Sequence, residues 1–197
     1  MTEQTTEDNN EQNHSVRSAV FSWIKVIVLA VAIALAMDTF VIANAVVPTG
    51  SMENTVPTHA RLIGFRLSYT VSDPKRGDIV IFKYPDDESK NFLKRIIGLP
   101  GETVEIRDGE VYINGSSEPL DEPYLAETPY GDFGPYEVPE DCYFMLGDNR
   151  NNSKDSRYWE NTYVSRDKIV AKAVWMYYPS FKVLSGVTYD YDEGLTE

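Results

Sequence analysis

Between Ala19 and Met37 the chain reads AVFSWIKVIVLAVAIALAM, and apolar character resumes at Phe40–Ile42 after Asp38. Counted from Val20 to Ile42 this is a run of 23 residues. A helix of that length reaches about 34 Å at roughly 1.5 Å per residue, enough to cross a hydrocarbon layer of about 30 Å. The segment is apolar all round, which argues against an amphipathic helix packed on a soluble core. Lys25 sits near one end, where its amine can snorkel to the interface. Arg17 and Lys25 flank the amino-terminal side while residues 43–60 hold no Lys or Arg, so charge asymmetry places the bulk of the chain outside the cytoplasm. A cleavable secretory signal is the competing reading, with Ala43-Asn44-Ala45 as its small-residue cut site after Ala45. Both readings give the same orientation, and the spanning one makes the lipid bilayer a partner.

The rest divides around this span. Residues 1–18 are expected to be a disordered cytoplasmic tail, because the polar opening MTEQTTEDNNEQNHS cannot repay the entropy of ordering. Residues 19–42 form the transmembrane helix, 43–187 an extracytoplasmic β-rich domain and 188–197 an acidic tail. With 18 Lys+Arg against 31 Asp+Glu the formal net charge is −13, which speaks against nucleic acid as a partner. One cysteine and two histidines exclude an internal disulfide and leave too few soft ligands for a zinc or histidine-based metal centre, so no cofactor is expected.

Beyond Pro48 the hydrophobic period falls to two. Asp78–Tyr84, Thr103–Arg107 and Glu110–Asn114 read as strands, and Asp108-Gly109 joins the last two as a hairpin. Further strands are expected at Arg61–Thr70, Asn91–Ile97, Cys142–Leu146 and Ile169–Tyr178. Residues 117–141 hold five of the eleven prolines, which makes that stretch extended loop or edge rather than central strand. No long amphipathic helix appears after residue 48. The expected fold is therefore mainly β.

Three local features could carry chemistry. In Pro48-Thr49-Gly50-Ser51-Met52 a constrained residue and a permissive one precede a serine, a setting that can hold its Oγ out from the chain. A nucleophilic serine needs a base. His59 is the only histidine beyond the span, has no acid placed to orient it, and reads as a surface residue. In Asn91-Phe92-Leu93-Lys94-Arg95-Ile96-Ile97, alternation sets Lys94 on one face with Phe92 and Ile96. Two readings of Lys94 stay open: an amine made basic by apolar surroundings, or an edge-strand cation facing water. The third feature, Gly147–Arg157, fails as a calcium loop, since counting from Asp148 its sixth position is Ser153 rather than glycine. It can form a turn pinned by Asp–Arg pairs.

Together these pieces resemble the bacterial type I signal peptidases, membrane-anchored serine proteases that remove signal peptides from exported preproteins. The resemblance runs through the apolar span, PTGSM at 48–52, RGDIVIF at 76–82, FLKRIIGLPGETVEI at 92–106, GEVYING at 109–115 and LGDNRNNSKDSR at 146–157. It implies a catalytic domain of coiled antiparallel sheets, Ser51 as nucleophile and Lys94 as general base. It further implies an oxyanion site from the Ser51 backbone N–H and the Thr49 hydroxyl, and Ser153 hydrogen-bonding the lysine amine. Arg95, Asp148, Asp155 and Arg157 would brace the site through ion pairs, and Met52 would be membrane-proximal or line the substrate pocket. Preproteins with small residues at the first and third positions before the cut would bind as an added strand. Nine residues from Ile42 to Ser51 span at most about 30 Å, which keeps the nucleophile near the outer membrane face.

The chain departs from the family at Ala171-Lys172-Ala173, where Gly-Lys-Ala is common, and over Tyr158–Ser165. Arg76-Gly77-Asp78 spells an adhesion tripeptide but in this context is similar to the start of a family strand. The rival readings are a self-cleaving serine–lysine protein of the repressor type and a non-catalytic anchored β-rich binding module.

Overall fold

The computed structural model describes residues 4–184, 186, 187 and 189, in two compact units, Met1–Val41 and Ile42–Glu197. The first unit is one helix, α1, Gln4–Phe40. Within it Val20–Phe40, 21 residues of mean hydropathy 2.5, is long and apolar enough to cross a membrane. Two sequence expectations need correction here. The segment read as a disordered tail, 1–18, is helical from Gln4 onward. Once the apolar span nucleates a helix, each further residue adds a hydrogen bond at little cost, and the Glu and Gln of the tail are good helix formers. At the other end the helix stops at Phe40, and Ile42 opens a strand.

The second unit is built from β1 (Ile42–Val46), β2 (Arg61–Phe65), β3 (Ile79–Tyr84), β4 (Asp87–Gly98), β5 (Thr103–Arg107), β6 (Glu110–Ile113), β7 (Phe133–Glu137), β8 (Cys142–Leu146), β9 (Val164–Ser165), β10 (Ile169–Tyr178) and β11 (Lys182–Val183). The large sheet runs β1-β2-β10-β3-β4-β8-β9 with β11 paired to β10, and the small sheet runs β6-β5-β7. Every pairing is antiparallel.

The mainly β expectation holds, and most boundaries fall within a few residues. Arg61–Thr70 is the exception, because the strand ends at Phe65 and a 3-10 turn over Arg66–Tyr69 follows. The Asp108-Gly109 hairpin forms with positive φ at both residues, 51° and 84°, the geometry that favours this dipeptide. In the proline-rich stretch β7 lies at the edge of the small sheet, where Pro135 leaves no central ladder bond missing. The acidic tail falls almost wholly outside the described residues.

Three apolar clusters fill the interior. One joins Ala43, Val47, Met52, Val56 and Leu62 to Ile79, Ile81, Ala171 and Met176. A second lies under the small sheet around Ile97, Val104 and Phe144, and a third gathers Val80, Phe82, Ile96, Met145 and Trp159. The long strand β4 runs between them, so its inner residues are buried whichever face they occupy.

Candidate active site

Ser51 lies in the turn between β1 and β2. The backbone N–H of Glu53 returns to the carbonyl of Gly50 at 3.0 Å and that of Val56 to Met52 at 2.7 Å, which folds the segment tightly on itself. Met52 and Val56 are fully buried in the first core cluster and anchor the turn. Met52 is not among the residues lining the groove beside Ser51, and its sulfur accepts the backbone N–H of Asp148 at 3.5 Å.

Lys94 comes from β4, opposite Val80 of β3. As alternation predicts, it shares a face with Phe92 and Ile96, and its Nζ lies 5.8 Å from the centre of the Phe92 ring. Only 3% of the residue is exposed, which rules out the water-facing reading. Lys94 Nζ and Ser51 Oγ are hydrogen-bonded across 43 residues of sequence. Burial pulls the Lys94 pKa from 10.5 down to about 8; the charges of Asp155 and Asp148 oppose that shift without cancelling it, and that of Arg157 assists. Among the described ion pairs Lys94 takes no part.

Around the pair the polar loop after β8 supplies support. Arg95, one residue from Lys94 and on the opposite face, makes a fork to Asp148, Nε to Oδ1 at 2.8 Å and Nη2 to Oδ2 at 2.6 Å, while the Thr55 hydroxyl donates to Oδ2 at 2.5 Å. Arg157 pairs with Asp155, whose Oδ2 also accepts the Gly147 backbone N–H at 3.1 Å. The Asn149 backbone N–H donates to the carbonyl of Ser51 at 3.1 Å and its amide to that of Gly50 at 2.9 Å. Gly147 has to be small, since a Cβ there would collide with both the Ser51 carbonyl and Ser153 Oγ.

Ser153 is buried beside this contact, yet its Oγ makes no hydrogen bond, so the bond to the lysine amine implied by resemblance is not formed. Thr49 is exposed and lines a groove of about 620 Å³ that also takes in Ala43, Ala45, Ser51, Leu62 and Lys94. His59 is exposed and takes no part. Arg76 is buried and forks onto Glu102 at 2.6 and 2.8 Å, and Asp78 pairs with Lys172 at 2.6 Å, so the adhesion-like tripeptide is committed to internal bonds. Sequence reasoning missed Thr55, Gly147 and Asn149 as contributors. Gly147 and Asn149 lay within the quoted 146–157 block, whereas Thr55 had no signal at all.

A mainly β domain that buries a serine hydroxyl against a lysine amine with no ion pair among the described residues has the arrangement of a serine hydrolase that uses an amine in place of histidine. Comparison with known proteins narrows this class. The family described as signal peptidase, peptidase S26, matches residues 20–178. A probable signal peptidase I-2 from Synechocystis is 45% identical over 160 residues, 79% of this chain and 72% of that protein. A signal peptidase I from Leptolyngbya laminosa is 42% identical over 170 residues, covering 82% and 81% respectively. The chain belongs to the signal peptidase family, peptidase S26. A crystal structure of a signal peptidase I from Enterococcus faecalis is 39% identical, with 52% of this chain and 97% of that chain covered at a TM-score of 0.45. Membership makes the chain an endopeptidase and sets aside the repressor-type and binding-module readings.

Proposed function

We propose that this membrane-anchored enzyme cleaves signal peptides from exported preproteins with Ser51 as nucleophile and neutral Lys94 as general base. The observation that carries the reading is the hydrogen bond between Lys94 Nζ and Ser51 Oγ, made by a lysine that is buried in the fold. In the first step Lys94 accepts the Ser51 proton as Oγ attacks the scissile carbonyl. The Ser51 backbone N–H and the Thr49 hydroxyl receive the developing oxyanion, an interaction typically worth about 3–4 kcal/mol per donor in the barrier. The protonated amine then gives its proton to the leaving amine, and water, deprotonated by Lys94 in turn, hydrolyses the Ser51 acyl-enzyme.

Substrate enters extended along the groove, a form of strand addition. Ala43 and Ala45 of β1 border that groove, and small substrate residues at the first and third positions before the cut suit shallow pockets there. Arg95, Asp148, Asp155 and Arg157 hold the site through their ion pairs without touching the substrate, and Ser153 packs beside them. The catalytic domain, residues 43–187, lies on the extracytoplasmic side of a single span, a reading that the Arg17 and Lys25 asymmetry supports. Retention of the anchor is favoured over a cut after Ala45. Ala43 is 5% exposed within the first core cluster, and residues 42–46 pair in register with β2, so a cut there would divide a strand of the folded domain.

The test is processing of a preprotein by S51A and K94A. Each is expected to lose about 10⁴-fold or more in kcat, in keeping with other nucleophile–base pairs, while keeping a cooperative thermal transition. Folded variants that still process the preprotein at the parental rate would refute the assignment.

A further inference from the structure

Beyond the bracing residues already named, one more arginine is buried against the loop that holds Ser51. Arg150 is 3% exposed. Its Nε donates to the carbonyl of Gly147 at 3.2 Å, and its Nη1 and Nη2 fork onto the two carboxylate oxygens of Glu122, the former at 2.8 Å. Glu122 belongs to the proline-rich stretch between β6 and β7, 28 residues away in sequence. The same short segment reaches the site a second time. The Tyr124 hydroxyl donates to Glu122 Oε1 at 2.6 Å, and its ring lies 3.8 Å from the guanidinium carbon of Arg95. A third tie is the Asn151 amide, which donates to the carbonyl of Thr128 at 3.2 Å.

These contacts form a chain from Glu122 to the nucleophile. Glu122 fixes Arg150, Arg150 holds the Gly147 carbonyl, and Gly147 packs directly on the Ser51 carbonyl, which Asn149 also grips. Both carboxylate oxygens of Asp148, the other anion acting on Arg150, are already taken by Arg95. A buried arginine that loses its one dedicated carboxylate is left uncompensated and must move toward water. Gly147 would move with it, and the Ser51 turn would lose one wall.

We propose that Glu122 is a positioning residue for the reaction, acting through Arg150 and Gly147 to keep Ser51 within reach of Lys94. This rests on the Ser51–Lys94 reading above. Its signature differs from that of the pair itself, because Glu122 lies outside the groove and is not among the charges that set the Lys94 pKa.

The experiment measures kcat, KM and the pH–rate profile of full-length E122Q and E122D on a signal-peptide substrate, below the melting temperature of each. In E122Q, kcat is expected to fall about 10- to 100-fold with KM within about threefold of the parent, since misplacing a reacting atom by an ångström has effects of this size. The acid limb of the profile stays where it is in the parent. E122D keeps the charge on a shorter arm and recovers kcat to within about fivefold of the parent without restoring it fully. A kcat in E122Q within about twofold of the parent, or a loss confined to KM, overturns the proposal. If E122Q does not fold, E122D decides alone, and full parental kcat in that variant overturns it. S51A run alongside separates the two claims: turnover in S51A refutes the nucleophile, whereas an inactive S51A with a fully active E122Q refutes only the role of Glu122.

Discussion

The two sides of Lys94 treat buried charge in opposite ways. On the loop side the side chains of Arg95, Arg150 and Arg157 are withdrawn from solvent, and each is forked onto a carboxylate, Asp148, Glu122 or Asp155. On the lysine's own side the neighbours are Phe92, Ile96 and the Ser51 hydroxyl. A charge taken out of water survives when a partner replaces its hydration and is shed when none does. Three guanidinium groups thus remain charged and serve as fasteners, while one amine drops toward neutrality and becomes available as a base. Arginine suits the first task because it forks and holds its proton, and lysine suits the second because its pKa yields to burial.

The contrast can be broken first on the paired side. D148N leaves Arg95 buried with no countercharge, and loss of one partner from such a pair destabilises by about 3–5 kcal/mol, read as a lower midpoint in chemical denaturation. The lysine side responds in the other direction. K94M replaces an amine whose folded pKa is about 8, against 10.5 in the unfolded chain, by an isosteric apolar residue. Below pH 8 both states of the parent carry the proton and the folded protein bears the full burial penalty. Between pH 8 and 10.5 only the unfolded state is protonated, so parental stability rises with pH through that window and the penalty is gone above it. K94M is accordingly expected to be more stable than the parent by roughly 3 kcal/mol at pH 7, with the gap closing as pH approaches 10.5. Removing a pair that lies at the surface gives the baseline. K168A breaks the Lys168–Glu88 contact of 2.8 Å between a half-buried lysine and an exposed glutamate. Its melting temperature is expected to stay within about 2 °C of the parent.

Local pattern made much of this legible. The alternation in Asn91–Ile97 put Lys94 between apolar neighbours before any contact was visible, and Asp108-Gly109 marked its hairpin because few other dipeptides tolerate two positive φ values. Strand β1 was not legible. Its sequence Ile-Ala-Asn-Ala-Val is short and follows the apolar span directly, so Ile42 read as the end of a helix and Ala43–Ala45 as a cut site. The burial of Met52 was not legible for a related reason: whether a side chain next to Ser51 faces groove or core depends on the tertiary turn. Glu122 left no trace either. An ion pair between a proline-rich loop and a turn 28 residues on has no periodicity and no local signature, and only the folded chain reveals it. The missing Ser153 bond belongs to the same category, because a hydroxyl's partner is decided by side-chain geometry rather than by sequence spacing.

Catalysis turns on the protonation state of one amine, which can be observed directly. Titration of the Lys94 side chain by NMR in full-length protein carrying labelled lysine, with K94M to assign the signal, should give a midpoint near pH 8, matched by the acid limb of kcat/KM. A midpoint at the ordinary lysine value, above pH 10, would leave Ser51 without a base at neutral pH and contradict the mechanism.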